Sequence, residues 1–234
     1  MTDGGGVPRP PDHHPDTWVV VPLFNEVSVI ADVVRSVRAV FPQVVCVDDG
    51  SRDGSAAAAR DGGAVVVQHP VNLGQGAALQ TGIEYALRDP GTRYVVTFDA
   101  DGQHRVEDAL GMVEVLRGGQ VDIVFGSRFL DERTQPSRAK RALLRAAVLY
   151  TNMTTKVRLS DAHNGLRAMN RTVAEHLDIR QNRMAHASEI IEQVGAGRFR
   201  YSEHPVHILY TDYSRAKGQS MLNSVNILTE MFFK

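Results

Sequence analysis

The chain contains one cysteine, few aromatic residues and no long apolar run. The single cysteine, Cys46, excludes an intrachain disulfide, and its position in a valine-rich run predicts a packed, reduced thiol. No window approaches the ~20 consecutive apolar residues that a membrane-spanning helix needs. Residues 1–16 lack the apolar centre of a signal peptide, and their glycines and prolines predict a disordered tail. We therefore expect a chain that is neither exported nor membrane-spanning by itself.

An excess of charge of one sign is also missing. The 234 residues include 26 Lys and Arg against 27 Asp and Glu, which excludes a globally basic nucleic-acid-binding protein. With 43% hydrophobic and 23% charged residues, the composition excludes disordered, collagen-like and disulfide-scaffold proteins. No linker rich in Pro, Gly or Ser divides the body, so a single domain is predicted.

Five short valine-rich runs predict strands that are buried on both faces, as in a parallel sheet covered by helices. The runs are WVVVPLF (18–24), QVVCVDD (43–49), AVVVQHP (64–70), YVVTFDA (94–100) and VDIVFGS (121–127). The stretches between them, 26–41, 51–62, 74–89 and 105–118, have helical spacing. This alternation predicts βαβ units and a doubly wound, mostly parallel, Rossmann-like α/β sheet.

The remainder of the chain has a different character. Residues 133–158 predict a helical segment with seven Lys or Arg and no acidic residue. Beyond it the sequence predicts, in order, a loop at 160–170, helices at 171–178 and 185–197, a strand within 199–210, and a helix from about 218.

Polar residues follow each valine run, at the sheet edge where open parallel sheets bind their ligands. Any one of these aspartates could be a helix N-cap, but carboxylates at neighbouring strand ends repel each other unless a cation or a ligand lies between them. Asp99 and Asp101 are two residues apart and can face one hard divalent cation, with Gln103 adding a neutral oxygen. The pattern fits Mg²⁺ or Mn²⁺ bound together with a nucleotide diphosphate.

The segments VVVPLFNE, VVCVDDGSRDGS, NLGQGAALQTGI, VTFDADGQH and VFGSR, in this order and spacing, resemble family 2 glycosyltransferases of the GT-A fold. The closer resemblance is to the branch that makes polyprenyl- or dolichyl-phosphate sugars, and it covers nearly all of residues 17–234. It implies a catalytic domain at 17–217, with a nucleotide-sugar half at about 17–130 and an acceptor half at about 131–217. An amphipathic helix would follow at 218–234. No G-x-x-x-x-G-K-[ST] motif of a phosphate-binding-loop NTPase is present.

The resemblance also implies roles for individual residues. The metal ligands would be Asp99, Asp101 and Gln103, and Arg128 would face the phosphates of donor or acceptor. For Arg128 the alternative is a surface arginine that caps the fifth strand. The nucleotide sugar would be held by Pro22, Phe24, Glu26, Asp48, Asp49, Gly76 and Asp99.

The acceptor side is implied by two further segments. Asp161 matches an acidic residue that is often proposed as the catalytic base in this branch. A phosphate acceptor, however, is already largely dianionic at neutral pH and needs little deprotonation. The alternative role for Asp161 is to orient the acceptor, a sugar hydroxyl or Arg167. In YSRAKGQS, the acceptor phosphate would be bound by Arg215, Lys217 and Ser220, with Lys217 also catalytic. Its AKGQ form resembles a subgroup that includes polyprenyl-phosphate N-acetylhexosamine synthases.

These features together predict an inverting, metal-dependent hexosyltransferase that moves N-acetylgalactosamine or another hexosamine from a UDP-sugar to polyprenyl phosphate, for cell-envelope glycan modification. The basic segment 133–158 and an apolar stripe at 218–234 predict peripheral attachment to the cytoplasmic face of the membrane. The resemblance to the subgroup implies a small membrane protein as partner, and a homo-oligomer is an option. A solvated helix packed on the core is the alternative for 133–158. The alternatives for function are transfer of glucose or mannose, a non-lipid acceptor, or a catalytically silent nucleotide-binding scaffold.

Overall fold

The structure is a computed structural model that describes residues 14–130, 157–162, 164–182 and 185–209. Seven strands and six helices are present in these ranges. The strands are β1 (Thr17–Leu23), β2 (Gln43–Asp48), β3 (Val65–Gln68), β4 (Tyr94–Thr97), β5 (Ile123–Ser127), β6 (Arg167–Asn170) and β7 (Tyr201–Pro205). The helices are α1 (Ile30–Arg38), α2 (Ser55–Asp61), α3 (Gln75–Leu87), α4 (Val106–Arg117), α5 (Arg171–His176) and α6 (His186–Ala196).

The strands form one sheet in the order β3-β2-β1-β4-β6-β5-β7. All neighbours are parallel except at β6, which runs antiparallel to both β4 and β5. Along the chain, β2 and β3 are added on one side of β1, and β4 is then added on its other side. The carboxyl ends of β1 and β4 therefore flank a switch point, where ligand crevices of open α/β sheets form.

Helices cover both faces of the sheet because its central strands are apolar on both sides. In β1, Val19 and Val21 belong to one core cluster with residues of α1 and α4, whereas Trp18 and Val20 belong to the other with α3, α5 and α6. Alternate residues of a strand point to opposite faces, so an unbroken valine run fills two cores. The predicted mostly parallel α/β sheet is confirmed.

Two strand predictions need correction. The run AVVVQHP becomes the edge strand β3, where Val65 is 42% exposed, so it is not buried on both faces. Residues 160–170, predicted as a loop, end in the strand β6, which fills the gap between β4 and β5. Its four residues are too few and too polar to give a strand pattern, and Asn170 also caps α5 by accepting a hydrogen bond from the amide of Val173.

Residues 14–16, the end of the predicted disordered tail, lie within the folded body. The ring of His14 lies 5.6 Å from that of Phe41, centroid to centroid, and His14 is buried. The carboxylate of Asp16 pairs with Arg117 of α4 at 2.6 Å. These contacts to α4 and to the end of α1 anchor the start of β1.

Cys46 lies fully buried in β2, and burial raises the pKa of its thiol to about 12. Such a thiol is protonated and unreactive at neutral pH. In the described part of the chain, no helix combines the length and the apolar character that a bilayer crossing requires.

Candidate functional site

A crevice of about 370 Å³ opens at the carboxyl ends of β1, β2 and β4. Its walls are formed by Pro22, Leu23, Phe24, Glu26, Asp49, Asn72, Gly74, Gln75, Ala78, Asp99, Ala100 and Asp101. Phe24 is 44% exposed at its rim. An aromatic ring that is left open to water beside polar side chains can stack against a flat ring of a ligand.

The loop after β1 is fastened to the loop after β2 by two serines. Ser51 Oγ accepts a hydrogen bond from the amide of Asn25 at 2.9 Å, and Ser55 Oγ accepts one from the amide of Glu26 at 2.8 Å. Asn25 has a φ of 54°, which asparagine tolerates better than most residues. These bonds hold the buried Glu26 in the wall of the crevice.

The two predicted nucleotide-binding aspartates of β2 have different surroundings. Asp48 accepts hydrogen bonds from the amide of Ser51 and from Gln68 Nε2, both at 3.1 Å, and is absent from the crevice wall. Its contacts organise the turn after β2. Asp49 does line the crevice, where its carboxylate accepts hydrogen bonds from the amides of Leu73 at 2.8 Å and Gly74 at 2.7 Å.

A histidine completes the surroundings of Asp49. His69 Nδ1 lies 2.8 Å from Asp49 Oδ1, and His69 Nε2 lies 3.0 Å from Thr81 Oγ1 on α3. Asp49 therefore fixes the loop 69–74, and the loop in turn fixes the carboxylate. Sequence reasoning assigned no role to His69, because nothing in the sequence shows that it lies next to Asp49.

Gly76, predicted to bind the nucleotide sugar, makes a close packing contact, and its binding role stays a prediction. Its amide donates a hydrogen bond to the carbonyl of Asn182 at 2.9 Å, and a β-carbon at Gly76 would overlap the carbonyl oxygen of Gln181. The neighbouring Gly74 has a φ of 103° and lies in the crevice wall. The glycines of NLGQG thus let the start of α3 approach residues 181 and 182.

Asp99 and Asp101 lie together in the crevice, just beyond β4. Asp99 accepts hydrogen bonds from His104 Nε2 at 2.9 Å and from Gln75 Nε2 at 3.3 Å. Burial opposes its ionisation, but the bond from His104 and the charges of His104, Arg167 and His186 outweigh burial and lower the pKa of Asp99. Burial and the negative charge of Asp99 raise the pKa of Asp101 to about 6.

The carboxylate pair fits a divalent metal ion. Ionising both acids in a buried crevice is costly, and a dication between them would remove that cost. Carboxylate oxygens are also the ligands that Mg²⁺ and Mn²⁺ prefer. For Gln103, the described contacts belong to its backbone: the amide donates to Asp101 Oδ1 at 3.0 Å and the carbonyl accepts from the amide of Leu209 at 2.8 Å.

A second polar cluster lies at the carboxyl end of β5. Arg128 binds Asp161 in a fork, with Nε 2.6 Å from Oδ2 and Nη2 2.9 Å from Oδ1. Glu203 of β7 supports the segment by accepting hydrogen bonds at 2.8 Å from both the amide and the hydroxyl of Ser160. A carboxylate held in a two-point pair with arginine is a poor proton acceptor. This contact is the kind that an orienting role of Asp161 requires, and its role as base stays a prediction.

Several predicted site features lie outside the described residues. They are Arg215, Lys217, Ser220, the helix 218–234, and the basic segment up to residue 156.

Known proteins share this architecture. The sequence profile of glycosyl transferase family 2 matches residues 18–178. Polyprenol monophosphomannose synthase of Mycolicibacterium smegmatis is 31% identical over 92% of this chain and 84% of the relative. A UDP-N-acetylglucosamine–dolichyl-phosphate N-acetylglucosaminyltransferase of Methanococcus voltae is 25% identical over 88% of this chain and 90% of the relative.

Among solved structures, glucosyl-3-phosphoglycerate synthase of Mycobacterium tuberculosis, in complex with Mn²⁺, UDP-glucose and phosphoglyceric acid, matches with a TM-score of 0.62. Its sequence is 18% identical, and the match covers 85% of this chain and 73% of that one. The predicted GT-A fold is confirmed. The profile match and the similarity to the mannose synthase together show that the chain belongs to glycosyl transferase family 2.

Proposed function

We propose that this protein transfers a sugar from a UDP-sugar to polyprenyl phosphate with inversion at the anomeric carbon. The proposal rests on two polar sites that lie at the same edge of the sheet. An open crevice with an exposed aromatic ring and two mutually repelling carboxylates lies at the ends of β1 and β4, while a partly buried arginine paired with a buried carboxylate lies at the end of β5. The first suits a nucleotide diphosphate with a cation, and the second suits orientation of an anionic acceptor.

The donor would bind along the crevice. Phe24 and Pro22 would contact the base, while Glu26 and Asp49 would accept hydrogen bonds from the base or ribose. Asp99 and Asp101 would hold the divalent cation, with Gln103 as a further oxygen ligand. When bound, the cation would neutralise charge that develops on the departing diphosphate. The residues themselves fix the donor so that the anomeric carbon faces the acceptor.

The acceptor would lie toward β5. Its phosphate is largely dianionic at neutral pH and can attack without a strong base. Arg128, oriented by Asp161, would fix this phosphate, together with Arg215, Lys217 and Ser220. The acceptor class is supported by the two relatives, whose names specify dolichyl-phosphate and polyprenol substrates.

For the sugar, we propose N-acetylgalactosamine or another hexosamine, on the strength of the AKGQ sequence at 216–219. The two relatives use N-acetylglucosamine and mannose, as their names state. We further propose peripheral attachment to the cytoplasmic face of the membrane through the basic segment 133–158, beside a small membrane protein.

The test is a donor screen with purified protein and polyprenyl phosphate in vesicles. UDP-N-acetylgalactosamine, UDP-N-acetylglucosamine, UDP-glucose and GDP-mannose are each supplied with Mn²⁺ or Mg²⁺, and the lipid-linked product and released nucleotide are measured. We expect the highest rate with a UDP-hexosamine and none without polyprenyl phosphate. Binding of UDP without turnover of any donor would favour the scaffold alternative, and turnover without lipid phosphate would contradict the acceptor class.

A further inference from the structure

Arg167 is the largest fully buried side chain of the described residues, with 1% of its surface exposed. It opens β6, where its backbone is paired with Thr97 of β4 and Phe125 of β5. Asp99 follows β4 by two residues, and Arg128 directly follows β5. We call the crevice proposed to bind the donor the donor crevice, and the group of Arg128, Ser160, Asp161 and Glu203 at the end of β5 the acceptor cluster. The strand β6 therefore places a buried cation between the donor crevice and the acceptor cluster.

The charge of Arg167 is compensated from both sides. Burial lowers the pKa of its guanidinium to about 10, while the negative charges of Asp99 and Asp161 act against burial. The group therefore stays charged at neutral pH. Its Nε and Nη1 have no hydrogen-bond partner in the part of the chain that the structure describes. A buried arginine with unpaired donors is costly, so its presence calls for a role that offsets the cost.

The backbone beside Arg167 is shaped for the approach of Asp99. A β-carbon at Gly165 would overlap the Asp99 carboxylate, so only glycine leaves room for it there. The carbonyl of Gly165 also accepts a hydrogen bond from Thr97 Oγ1 at 2.7 Å, which ties this loop to β4. The segment 165–167 thus supports Asp99 through both a steric fit and a charge.

We propose that Arg167 is a positioning residue: its buried guanidinium, placed by β6 between Asp99 on the donor side and Asp161 on the acceptor side, helps to fix the orientations of both carboxylates. This inference rests on the proposed function. Arg167 acts through the two carboxylates, and Asp161 passes its orientation on to Arg128 through the fork. Donor and acceptor sites would then share one buried charge, so that a change at Arg167 affects both.

The test compares Arg167→Lys with a matched control, Arg171→Lys. Arg171 directly follows β6, is partly buried, and donates to the carbonyls of Leu87, Asp89 and Thr92, away from the crevice. Calorimetry measures the dissociation constant for UDP in the presence of Mn²⁺, and steady-state assays measure kcat and the KM for polyprenyl phosphate. We expect Arg167→Lys to weaken Mn²⁺-dependent UDP binding and to lower kcat by about 10- to 100-fold each, as for other partners of metal ligands.

The control should lower the melting temperature while its binding and kinetic constants stay within about twofold of wild type. If Arg167→Lys behaves like the control, the proposal is overturned. A double-mutant cycle with Asp161→Asn isolates the acceptor side: the effect of Arg167→Lys on kcat should shrink in that background, and strictly additive effects would contradict coupling to Asp161.

A second variant covers the case in which Arg167→Lys does not fold. Gly165→Ala would push the Asp99 carboxylate out of its place beside residue 165 and should weaken Mn²⁺-dependent UDP binding, whereas unchanged affinity would overturn the donor half of the proposal. Failure of the proposed function looks different. In that case wild-type protein binds UDP with Mn²⁺, and Arg167→Lys still weakens this binding, but no sugar reaches polyprenyl phosphate.

Discussion

The donor crevice and the acceptor cluster treat their carboxylates in opposite ways. Asp99 and Asp101 share an open crevice, where burial and the negative charge of Asp99 raise the pKa of Asp101 to about 6. Asp161 is buried and already neutralised by the two-point pair with Arg128. His104, Arg167 and His186 offset the charge of Asp99, so the charge left uncompensated in the crevice is that of Asp101, and a cation can neutralise it. The compensated charge of Asp161 instead holds Arg128 in one orientation. The first arrangement serves binding, and the second serves alignment.

The largest effect should follow from removing charge on the donor side. We expect Asp101→Asn to lower kcat/KM by about 10³-fold or more, because a fixed ligand for transition-state charge is lost. Released UDP is measured in the lipid-phosphate assay, and Mn²⁺ binding by calorimetry. Asp32→Asn, which alters an exposed acid on α1, is the control and should keep wild-type rates. Wild-type turnover by Asp101→Asn would remove the basis for a metal site in the crevice.

On the acceptor side we expect a smaller loss. Asp161→Asn keeps the shape of the side chain but breaks the charged fork, so kcat should fall by about 10- to 100-fold. Arg128→Lys should reduce kcat to a similar extent, because a lysine cannot reproduce the fork. The two substitutions combined should be far from additive. A loss of about 10⁴-fold for Asp161→Asn, with Arg128→Lys nearly unaffected, would instead identify Asp161 as the base.

The smallest effect should come from the aromatic rim of the crevice. We expect Phe24→Ala to weaken UDP binding by about 5- to 10-fold, which corresponds to ~1 kcal/mol of ring stacking. Its melting temperature should hardly change, because Phe24 is 44% exposed. Val71→Ala, at a position 58% exposed and outside the crevice wall, is the control and should leave UDP affinity unchanged. An unaltered affinity for Phe24→Ala would show that the base lies elsewhere.

The same two regions differ in how much of them can be predicted from the sequence. The valine runs predict β1, β2, β4 and β5, since short runs rich in β-branched residues and bounded by turn residues favour a buried strand over a buried helix. Asp49, Asp99 and Asp101 follow from the rule that ligands bind at the carboxyl edge of such a sheet. Most of the strands and aspartates that form the donor crevice can therefore be predicted from the sequence alone.

The acceptor side is less predictable because its contacts join residues that are distant in sequence. The strand β6 has four residues and begins with a buried arginine, which violates the usual hydrophobic pattern of a strand. The fork between Arg128 and Asp161 spans 33 positions. Asp48 and Gly76 show the opposite problem, because their motif indicates binding while their contacts organise the backbone. Sequence motifs give the neighbourhood of such residues but not what each side chain contacts.

The reversed direction of β6 has a consequence for how this fold can diversify. Because β6 is antiparallel to β5, the end of β5 at Ser127 and the start of β6 at Arg167 lie at the same edge of the sheet. An excursion that starts and ends at one edge can be lengthened, shortened or exchanged at little entropic cost and without shifting any strand. Under the proposed function, we therefore expect that exchanging residues 128–166 for those of a relative changes the acceptor preference and leaves the residues of the crevice in place.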